Sequence, residues 1–209
     1  MSRFEAARER ATEDAKAPTT READGRERTI RVAIGDSQAP IGVFLKILDD
    51  HDLLGDDGRL KPHVALTSMG DHFDWGSAAE HVRASIEGLE ILSWLAAHPR
   101  DQVTIIAGNH DLARVGELAR FDDATFARAQ AEAVPAYTSK DPELEKRFLA
   151  HFPDLPSSEI AARDFSAFTV AQRELVVMLL RDRRLRIAHA AGRNFMLSHA
   201  GVTIDDLDA

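Results

Sequence analysis

Four short polar signatures, each directly after an apolar run, constrain this chain more than any other feature. The signatures are GDSQ at 35–38, GDHFD at 70–74, GNHD at 108–111 and SHAG at 198–201. The apolar runs are TIRVAI (29–34), HVALTSM (63–69), QVTIIA (102–107) and FML (195–197). Short apolar runs bounded by Gly are typical of strands that are covered on both faces. Ligands bind beyond the carboxyl ends of strands in open α/β sheets, so we expect the four signatures to meet at one edge.

Segments with helical periodicity separate these strands. The predicted helices are 41–51, with apolar residues Val43, Phe44, Ile47 and Leu48, and 77–98, with a stripe of Val82, Ile86, Leu89, Leu92 and Leu95. Ser77 and Glu80 have the spacing of a capping box, which places the start of the second helix at Ser77. Strands and helices alternate, so the sequence predicts a βαβαβ arrangement, with a parallel sheet and right-handed crossovers.

The rest of the chain divides into three segments. Residues 1–28 have almost no large apolar side chains and are predicted to be a mobile lead-in before a domain spanning 29–209. Residues 112–182 are helical and polar in pattern, and we expect them to form a cap insert over the edge of the sheet that carries the signatures, with an amphipathic helix at 168–181. Residues 185–201 have the pattern of a hairpin that turns at 191–193.

Composition limits the classes of function. The chain has 209 residues, which suits one domain with a modest insertion, and its net charge of −9 disfavours nucleic acid as a partner. It has no cysteine, which excludes disulfides and thiolate metal sites. Neither a signal peptide nor an apolar run of about 18 residues is present, so we expect a cytoplasmic protein without a membrane partner. The sequence leaves the oligomeric state open.

The residue types in the signatures suit a site for two divalent cations. Two cations about 3.5–4 Å apart neutralise a phosphate group and lower the pKa of a bound water that attacks phosphorus. Such a pair needs a bridging carboxylate and further hard ligands. We predict that Asp71 bridges the ions, that Asp36 binds the first, and that Asn109 and His199 bind the second.

Two further residues of the signatures suit proton transfer. His110 directly follows Asn109, and we predict that it protonates the leaving-group oxygen as a general acid. Asp74 lies three residues beyond Asp71, and we predict that it orients the His110 imidazole.

With these residues, the chain resembles the calcineurin-like metallophosphoesterase superfamily. The family pattern runs D-x-H, G-D-x-x-D, G-N-H-[DE], a later His and a final G-H. Within the superfamily, GDHFD with the later HAG is similar to the branch of serine/threonine protein phosphatases and diadenosine tetraphosphatases. The resemblance covers residues 31–202, although the insert matches none of the motifs.

The resemblance implies an α/β fold whose core is a β-sandwich flanked by helices. It also implies two metal ions, usually manganese, with magnesium, iron, zinc or nickel as alternatives, and hydrolysis of a phosphoester. The substrate can be a phosphoprotein, a nucleotide or a small phosphoester. By motif position, Asp36, Asp71, Asn109 and His199 match metal ligands, and His110 and Asp74 match the general acid and its partner.

Three positions depart from the family pattern. Gln38 stands where D-x-H has histidine, and we expect its amide oxygen to bind a hard cation. Trp75 follows GDHFD where the phosphatase branch has a phosphate-binding arginine; Arg114 is a candidate replacement, and Trp75 itself either stacks on substrate or packs inside the protein. The final G-H is absent, so the sequence suggests a C-terminally truncated chain with an incomplete sandwich.

Alternatives remain at several positions. His72 occupies a variable position of its motif and is expected at the surface or in the substrate pocket. The basic run 181–186 is either a solvated helix end or a phosphate patch. For the whole chain, the alternative to an enzyme is a catalytically impaired scaffold of the same fold that binds metal, phosphate or a protein partner. A nucleotide-binding α/β domain is disfavoured because the chain lacks a Gly-rich phosphate loop.

Overall fold

The structure, a computed structural model, describes residues 1–200. Its helices are α1 (Arg3–Lys16), α2 (Ile41–Asp50), α3 (His81–Ala96), α4 (Asn109–Ala113), α5 (Asp123–Ser139), α6 (Pro142–His151), a π-helix (Ile160–Asp164) and α7 (Val170–Arg181). Its strands are β1 (Ile30–Ile34), β2 (Val64–Ser68), β3 (Val103–Ile106), β4 (Leu185–Arg186), β5 (Ala188–Ala190) and β6 (Met196–Ser198). The chain is therefore a mixed α/β protein, as the sequence predicts.

A four-stranded parallel sheet forms the centre of the fold. The strand order is β1-β2-β3-β4, and each neighbouring pair is parallel. The first three strands lie within a residue of the predicted runs at each end, since buried apolar runs bounded by Gly and polar residues leave little choice of position. The predicted parallel βαβαβ arrangement is confirmed.

One face of this sheet is covered by helices. Alternate strand residues on that face join side chains of α1, α2, α3 and α7 in one apolar core. Trp94 of α3 is fully buried there, 6.2 Å from the ring of Phe44, and its Nε1 donates a hydrogen bond to the Gly58 carbonyl at 3.0 Å. This core holds the strands in place, so that their carboxyl ends lie along one edge.

The opposite face of the sheet borders a cleft of about 380 Å³. The cleft is lined by sheet residues such as Arg31, Ala65, Thr67 and Thr104, and by His189 and Leu197 of the β5–β6 pair. Among residues 1–200, β5 and β6 form the one sheet besides the parallel one. The β-sandwich implied by the family resemblance therefore stays a prediction.

The prediction of a mobile lead-in is wrong for α1. Ser2 caps this helix with a capping box, and Ala7 and Ala11 are fully buried in the main core. The Thr12 hydroxyl donates to Glu90 at 2.7 Å, and Arg59 makes a bidentate ion pair with Asp14. The helix packs through alanines, which allow its backbone to come close to the core; a search for large apolar residues misses this kind of packing.

Helix α3 begins later than predicted. Ser77 and Glu80 do interact, through the Ser77 N–H and the Glu80 carboxylate at 2.9 Å, but a turn separates Ser77 from the helix, whose first residue is His81. The predicted stripe is also rotated, because Val82 and Ile86 are exposed. Gly88 lies on the buried side instead, where an added Cβ would lie 2.3 Å from the ring of Phe73. The missing side chain of Gly88 therefore leaves space for Phe73 of the GDHFD loop.

The segment 112–182 is helical, as predicted, but it has its own apolar core. Side chains from α5, α6, the π-helix and the following loop form this second cluster, which includes Phe126, Phe148, Phe152, Phe165 and Phe168. Helix α7 occupies 170–181, close to the predicted 168–181, and packs in the main core instead. The loop between the π-helix and α7 contacts the residues of the GDHFD and GNHD signatures, as described below.

The C-terminal hairpin is confirmed with different bounds. Leu185 and Arg186 join the parallel sheet as β4, and only Ala188–Ala190 and Met196–Ser198 pair as an antiparallel hairpin. Its turn runs from 191 to 195 and is closed by the hydrogen bond from the Ala191 N–H to the Phe195 carbonyl. Gly201 of the SHAG signature and the rest of 201–209 lie outside the described residues. None of the helices within residues 1–200 has both the length and the apolar character needed to cross a bilayer.

Candidate metal centre

The four strand-end signatures meet at one point of the sheet edge, as predicted. His199 is the clearest link, because its Nε2 lies 3.2 Å from Asn109 Oδ1 and 3.3 Å from Asp71 Oδ2. Its Nδ1 lies 3.7 Å from Asp36 Oδ1. Ligand atoms of Asp36, Asp71 and His199 all lie within 4.8 Å of one another. The structure thus brings together Asp36, Asp71, Asn109 and His199, which come from four distant parts of the chain.

Asp71 is held in place by its backbone and by one of its oxygens. Gly70 and Asp71 both have positive φ, +95° and +52°, which turn the chain sharply after β2. Asp71 Oδ1 accepts a hydrogen bond from the His110 N–H at 3.0 Å, and Oδ2 faces His199 and Gln38. The sequence predicts that Asp71 bridges two metal ions with one carboxylate oxygen on each. The structure instead leaves Oδ2 as the oxygen that faces the other candidate ligands.

The tautomer of His199 suits a metal ligand. Its Nδ1 lies 2.8 Å from the Met69 carbonyl, which can only accept, so Nδ1 carries a proton and Nε2 is the nitrogen that a metal ion would bind in the neutral ring. A Cβ on Gly70 would lie 2.8 Å from this Nδ1 and 2.6 Å from the Gly108 nitrogen. The absence of a side chain at Gly70 therefore allows the second, third and fourth signatures to come this close.

Gln38 lies in the cluster, but in a different role from the predicted one. Its amide nitrogen, rather than its oxygen, faces Asp71 Oδ2, at 3.4 Å. In this orientation Gln38 donates a hydrogen bond to the Asp71 carboxylate and does not present its oxygen as a ligand. Rotation of the amide by half a turn exchanges the two atoms and presents the oxygen.

The chemistry of this donor set fits a divalent cation. The Asn109 oxygen, the Asp71 oxygen and, in the neutral ring, His199 Nε2 are acceptors, and acceptors this close to one another repel unless a cation or a proton lies between them. Burial raises the pKa of Asp71, against the opposing influence of His110 and His199. Carboxylate, amide and imidazole ligands together suit Mn²⁺ and related ions, and a bound cation would keep Asp71 ionised.

His110 and Asp74 form the predicted pair beside this cluster. His110 Nδ1 lies 2.9 Å from Asp74 Oδ2, and the Asp74 side chain is almost fully buried. Burial by itself lowers the pKa of His110, but the hydrogen bond to Asp74 and the charges of Asp74 and Asp71 outweigh it, so the pKa is raised. Burial would raise the pKa of Asp74, but Arg114, His110 and Ser166 together hold it below its ordinary value.

Arg114 and Trp75 are not placed to bind substrate, in contrast to the prediction. Arg114 is fully buried, and its two terminal nitrogens donate to the two oxygens of Asp74 at 2.7 and 2.8 Å. Its role is to neutralise Asp74, and it is not free to contact a phosphate. Trp75 is 5% exposed, and the guanidinium of Arg83 covers its ring at 5.3 Å. Of the two alternatives for Trp75, the structure favours packing.

A buried network under the candidate ligands was missed by sequence reasoning. Asp111 is fully buried and accepts hydrogen bonds from the backbone N–H groups of Asp71, His72 and Gly108 at 2.9–3.1 Å. His72 is also fully buried, whereas the sequence predicted it at the surface or in the substrate pocket. Its Nδ1 faces Asp111 at 3.0 Å and its Nε2 faces the Ser68 hydroxyl at 2.8 Å. Asp111 thus connects two signatures. The acidic residue that ends GNHD was the signal for it.

Comparisons of the chain with protein-family models, with curated proteins and with solved structures found no match. The case for a function therefore depends on the geometry described above.

Proposed function

We propose that this protein is a metal-dependent phosphoesterase. The observation that carries the proposal is the convergence of Asp36, Asp71, Asn109 and His199 at the carboxyl edge of the sheet, directly beside the part-buried His110–Asp74 pair. Ligands for a cation, next to an imidazole oriented by a carboxylate, are what metal-assisted hydrolysis requires.

The side chains have distinct roles in this proposal. Two divalent ions, with Mn²⁺ preferred and Mg²⁺, Fe, Zn²⁺ or Ni²⁺ as alternatives, would neutralise the phosphate oxygens and supply an activated water. Asp36, Asp71, Asn109 and His199 would hold these ions, with Asp71 shared between them. His110 holds its Nδ1 proton against Asp74, which leaves Nε2 to donate a proton to the departing oxygen.

The proposed substrate class is a phosphoester, and the phosphoprotein, nucleotide and small-ester alternatives stay open. Asp36, Gln38 and Asn109 are exposed, so the candidate centre is open to solvent and to a substrate. The net charge of −9 disfavours long nucleic acids.

Turnover of p-nitrophenyl phosphate and bis-p-nitrophenyl phosphate with added Mn²⁺ tests the proposal. We expect hydrolysis that EDTA abolishes. Asp71→Asn should lower kcat/KM at least about 100-fold, since loss of a ligand costs more than loss of an outer contact. His110→Ala should lower kcat/KM about 10²–10⁴-fold for phenyl phosphate, whose poor leaving group needs a proton, and less for the nitrophenyl esters. Asp56→Asn, at an exposed aspartate outside the cluster, is the matched control. No metal-dependent turnover of either ester would contradict the proposal.

A catalytically impaired scaffold is the second candidate function. The observations that favour it are the hydrogen bond from Gln38 to Asp71, in place of a ligand, and the burial of Arg114, which leaves this arginine unable to bind phosphate. Calorimetric titration with Mn²⁺ separates the two functions when combined with the assay. Tight Mn²⁺ binding that Asp71→Asn removes, without turnover of any ester, would favour the scaffold.

A further inference from the structure

The loop that follows the π-helix reaches from the insert to the His110–Asp74 pair. Ser166 donates two hydrogen bonds to Asp74 Oδ1, one from its backbone N–H at 2.6 Å and one from its hydroxyl at 2.5 Å. Ser166 is 92 residues from Asp74 in the chain and is almost fully buried. This contact joins the insert, which matches no motif, to the partner of the proposed general acid.

The neighbouring residue Phe165 packs on the same group of side chains. Its ring lies edge-on to the His110 imidazole, with centroids 5.3 Å apart. The guanidinium of Arg114 lies between two rings, 4.5 Å from Phe73 and 5.5 Å from Phe165. Phe165 also belongs to the second apolar cluster. The core of the insert is therefore in direct contact with the imidazole.

The two oxygens of Asp74 share Arg114 as a donor and differ in their other partners. Oδ1 accepts from Ser166 twice and from Arg114, whereas Oδ2 accepts from Arg114 and faces His110 Nδ1. Asp74 also has a positive φ of +66°, which is costly for a residue with a side chain and persists only where its surroundings hold it. Rotation of the carboxylate would require Oδ1 to leave Ser166. Ser166 therefore helps to hold the carboxylate in the orientation that presents Oδ2 to His110.

We propose that Ser166 is a positioning residue through which the insert orients His110 for proton donation. This inference rests on the proposed phosphoesterase function. Arg114 neutralises Asp74 and holds both of its oxygens in a bidentate pair. The Ser166 hydroxyl and N–H contact only Oδ1, so they add a second restraint on the direction of the carboxylate, and this restraint comes from the insert. The insert would then take part in catalysis through this contact.

The test uses the dependence on leaving group, because only a poor leaving group needs a proton. The Mn²⁺-loaded full chain is assayed with phenyl phosphate and with 2,4-dinitrophenyl phosphate. We expect Ser166→Ala to lower kcat for phenyl phosphate about fivefold, which corresponds to the loss of one hydrogen bond of ordinary strength. The kcat for the dinitrophenyl ester should stay unchanged, so the ratio of the two kcat values should fall about fivefold. Ser166→Thr, which keeps a hydroxyl, should restore the ratio.

Ser158→Ala is the matched control. Ser158 is also buried in the insert, and its N–H and hydroxyl also bind a carboxylate, that of Glu145. It does not contact Asp74, so its variant reports any general loosening of the insert. We expect the Ser158→Ala variant to keep the wild-type ratio of the two kcat values, whatever its melting temperature.

A second readout does not depend on activity. In ¹⁵N-histidine-labelled protein without metal, the Nδ1–H of His110 should give a slowly exchanging signal that is absent from His110→Gln. The signal should exchange faster in Ser166→Ala and stay unchanged in Ser158→Ala.

The outcomes separate the two proposals. If the wild type hydrolyses both esters but Ser166→Ala slows them equally, or has the same effect as Ser158→Ala, the positioning role is overturned and the phosphoesterase stands. If the wild type hydrolyses neither ester with any of the named metals, the phosphoesterase proposal fails and the positioning role fails with it.

Discussion

At the sheet edge the backbones of different signatures come so close together that some positions have no room for a side chain. A Cβ on Gly108 would lie 2.0 Å from Asp71 Oδ1 and 2.5 Å from the Asp71 nitrogen, distances at which atoms overlap. Gly70 and Asp71 adopt positive φ at the same point. Three signatures can share one small volume only because two of their positions have no side chain.

The first prediction concerns Gly108. Gly108→Ala should displace the Asp71 carboxylate and weaken Mn²⁺ binding about 10–100-fold or more, as measured by calorimetric titration. Gly116→Ala is the matched control, because its nearest neighbour would be an ordinary 3.4 Å away. Unchanged Mn²⁺ affinity in Gly108→Ala would show that Asp71 is not a ligand.

A second residue-scale prediction concerns pH and His98, which is buried away from the site. Its Nδ1 faces the Trp94 carbonyl at 2.8 Å, and its Nε2 accepts from the Leu60 N–H at 3.1 Å, so the neutral ring satisfies both partners. Burial, together with the charges of Arg59 and other arginines, lowers the pKa of His98 from 6.5 to about 3. Between these values the unfolded chain binds a proton that the folded chain does not.

The free energy of unfolding should therefore fall as the pH drops below about 6.5, by about 1.4 kcal/mol per pH unit from His98. Urea unfolding between about pH 5 and 6.5 measures this slope. His98→Gln should remove that part of the slope, while His51→Gln, at an exposed histidine, should not. Equal slopes in the wild type and His98→Gln would contradict a neutral buried ring.

Elements differ in how visible they are in the sequence. Strands β1, β2 and β3 were predicted within a residue at each end, since a buried apolar run bounded by Gly and polar residues leaves little choice of position. The packing of helix α1 was missed, since Ala7 and Ala11 carry little hydrophobic signal and their burial depends on a surface far away in the chain. The start of α3 was placed too early, because a Ser–Glu spacing of three residues also occurs in a turn.

The packing of α1 yields an element-scale prediction. Gly58 has a φ of +75°, and a Cβ there would lie 2.5–2.6 Å from the backbone of Ala6 and Ala7. Gly58→Ala should lower the free energy of unfolding by roughly 2–4 kcal/mol, from strain and overpacking together. Gly25→Ala is the control: Gly25 has a similar φ of +69° but open space around it, so only the strain of about 1–2 kcal/mol applies.

Urea unfolding of both variants measures the difference. Equal destabilisation by Gly58→Ala and Gly25→Ala would mean that α1 does not pack against this loop.

For the whole molecule, the sequence predicted which residues form the candidate site but not which side chains contact and orient them. The positions of Asp36, Asp71 and Asn109 after strands of the parallel sheet predicted their convergence, since such strands end at one edge. His199 follows β6 of the antiparallel pair, so its place at this edge depends on how the hairpin packs. The role of Ser166 depends on how the insert folds back onto Asp74, and nothing local to Ser166 encodes that contact. Likewise, burial of His72 follows from its pairing with Asp111, 39 residues away.

The measurement that tests the central claim most directly is an anomalous difference map from crystals soaked in Mn²⁺. If these residues form a two-metal centre, the map should show two peaks about 3.5–4 Å apart among Asp36, Asp71, Asn109 and His199, with Asp71 contacting both. Crystals of Asp71→Asn treated in the same way should lack the pair. A map from the wild type without a peak at this edge of the sheet would contradict the metal centre and, with it, the proposed phosphoesterase.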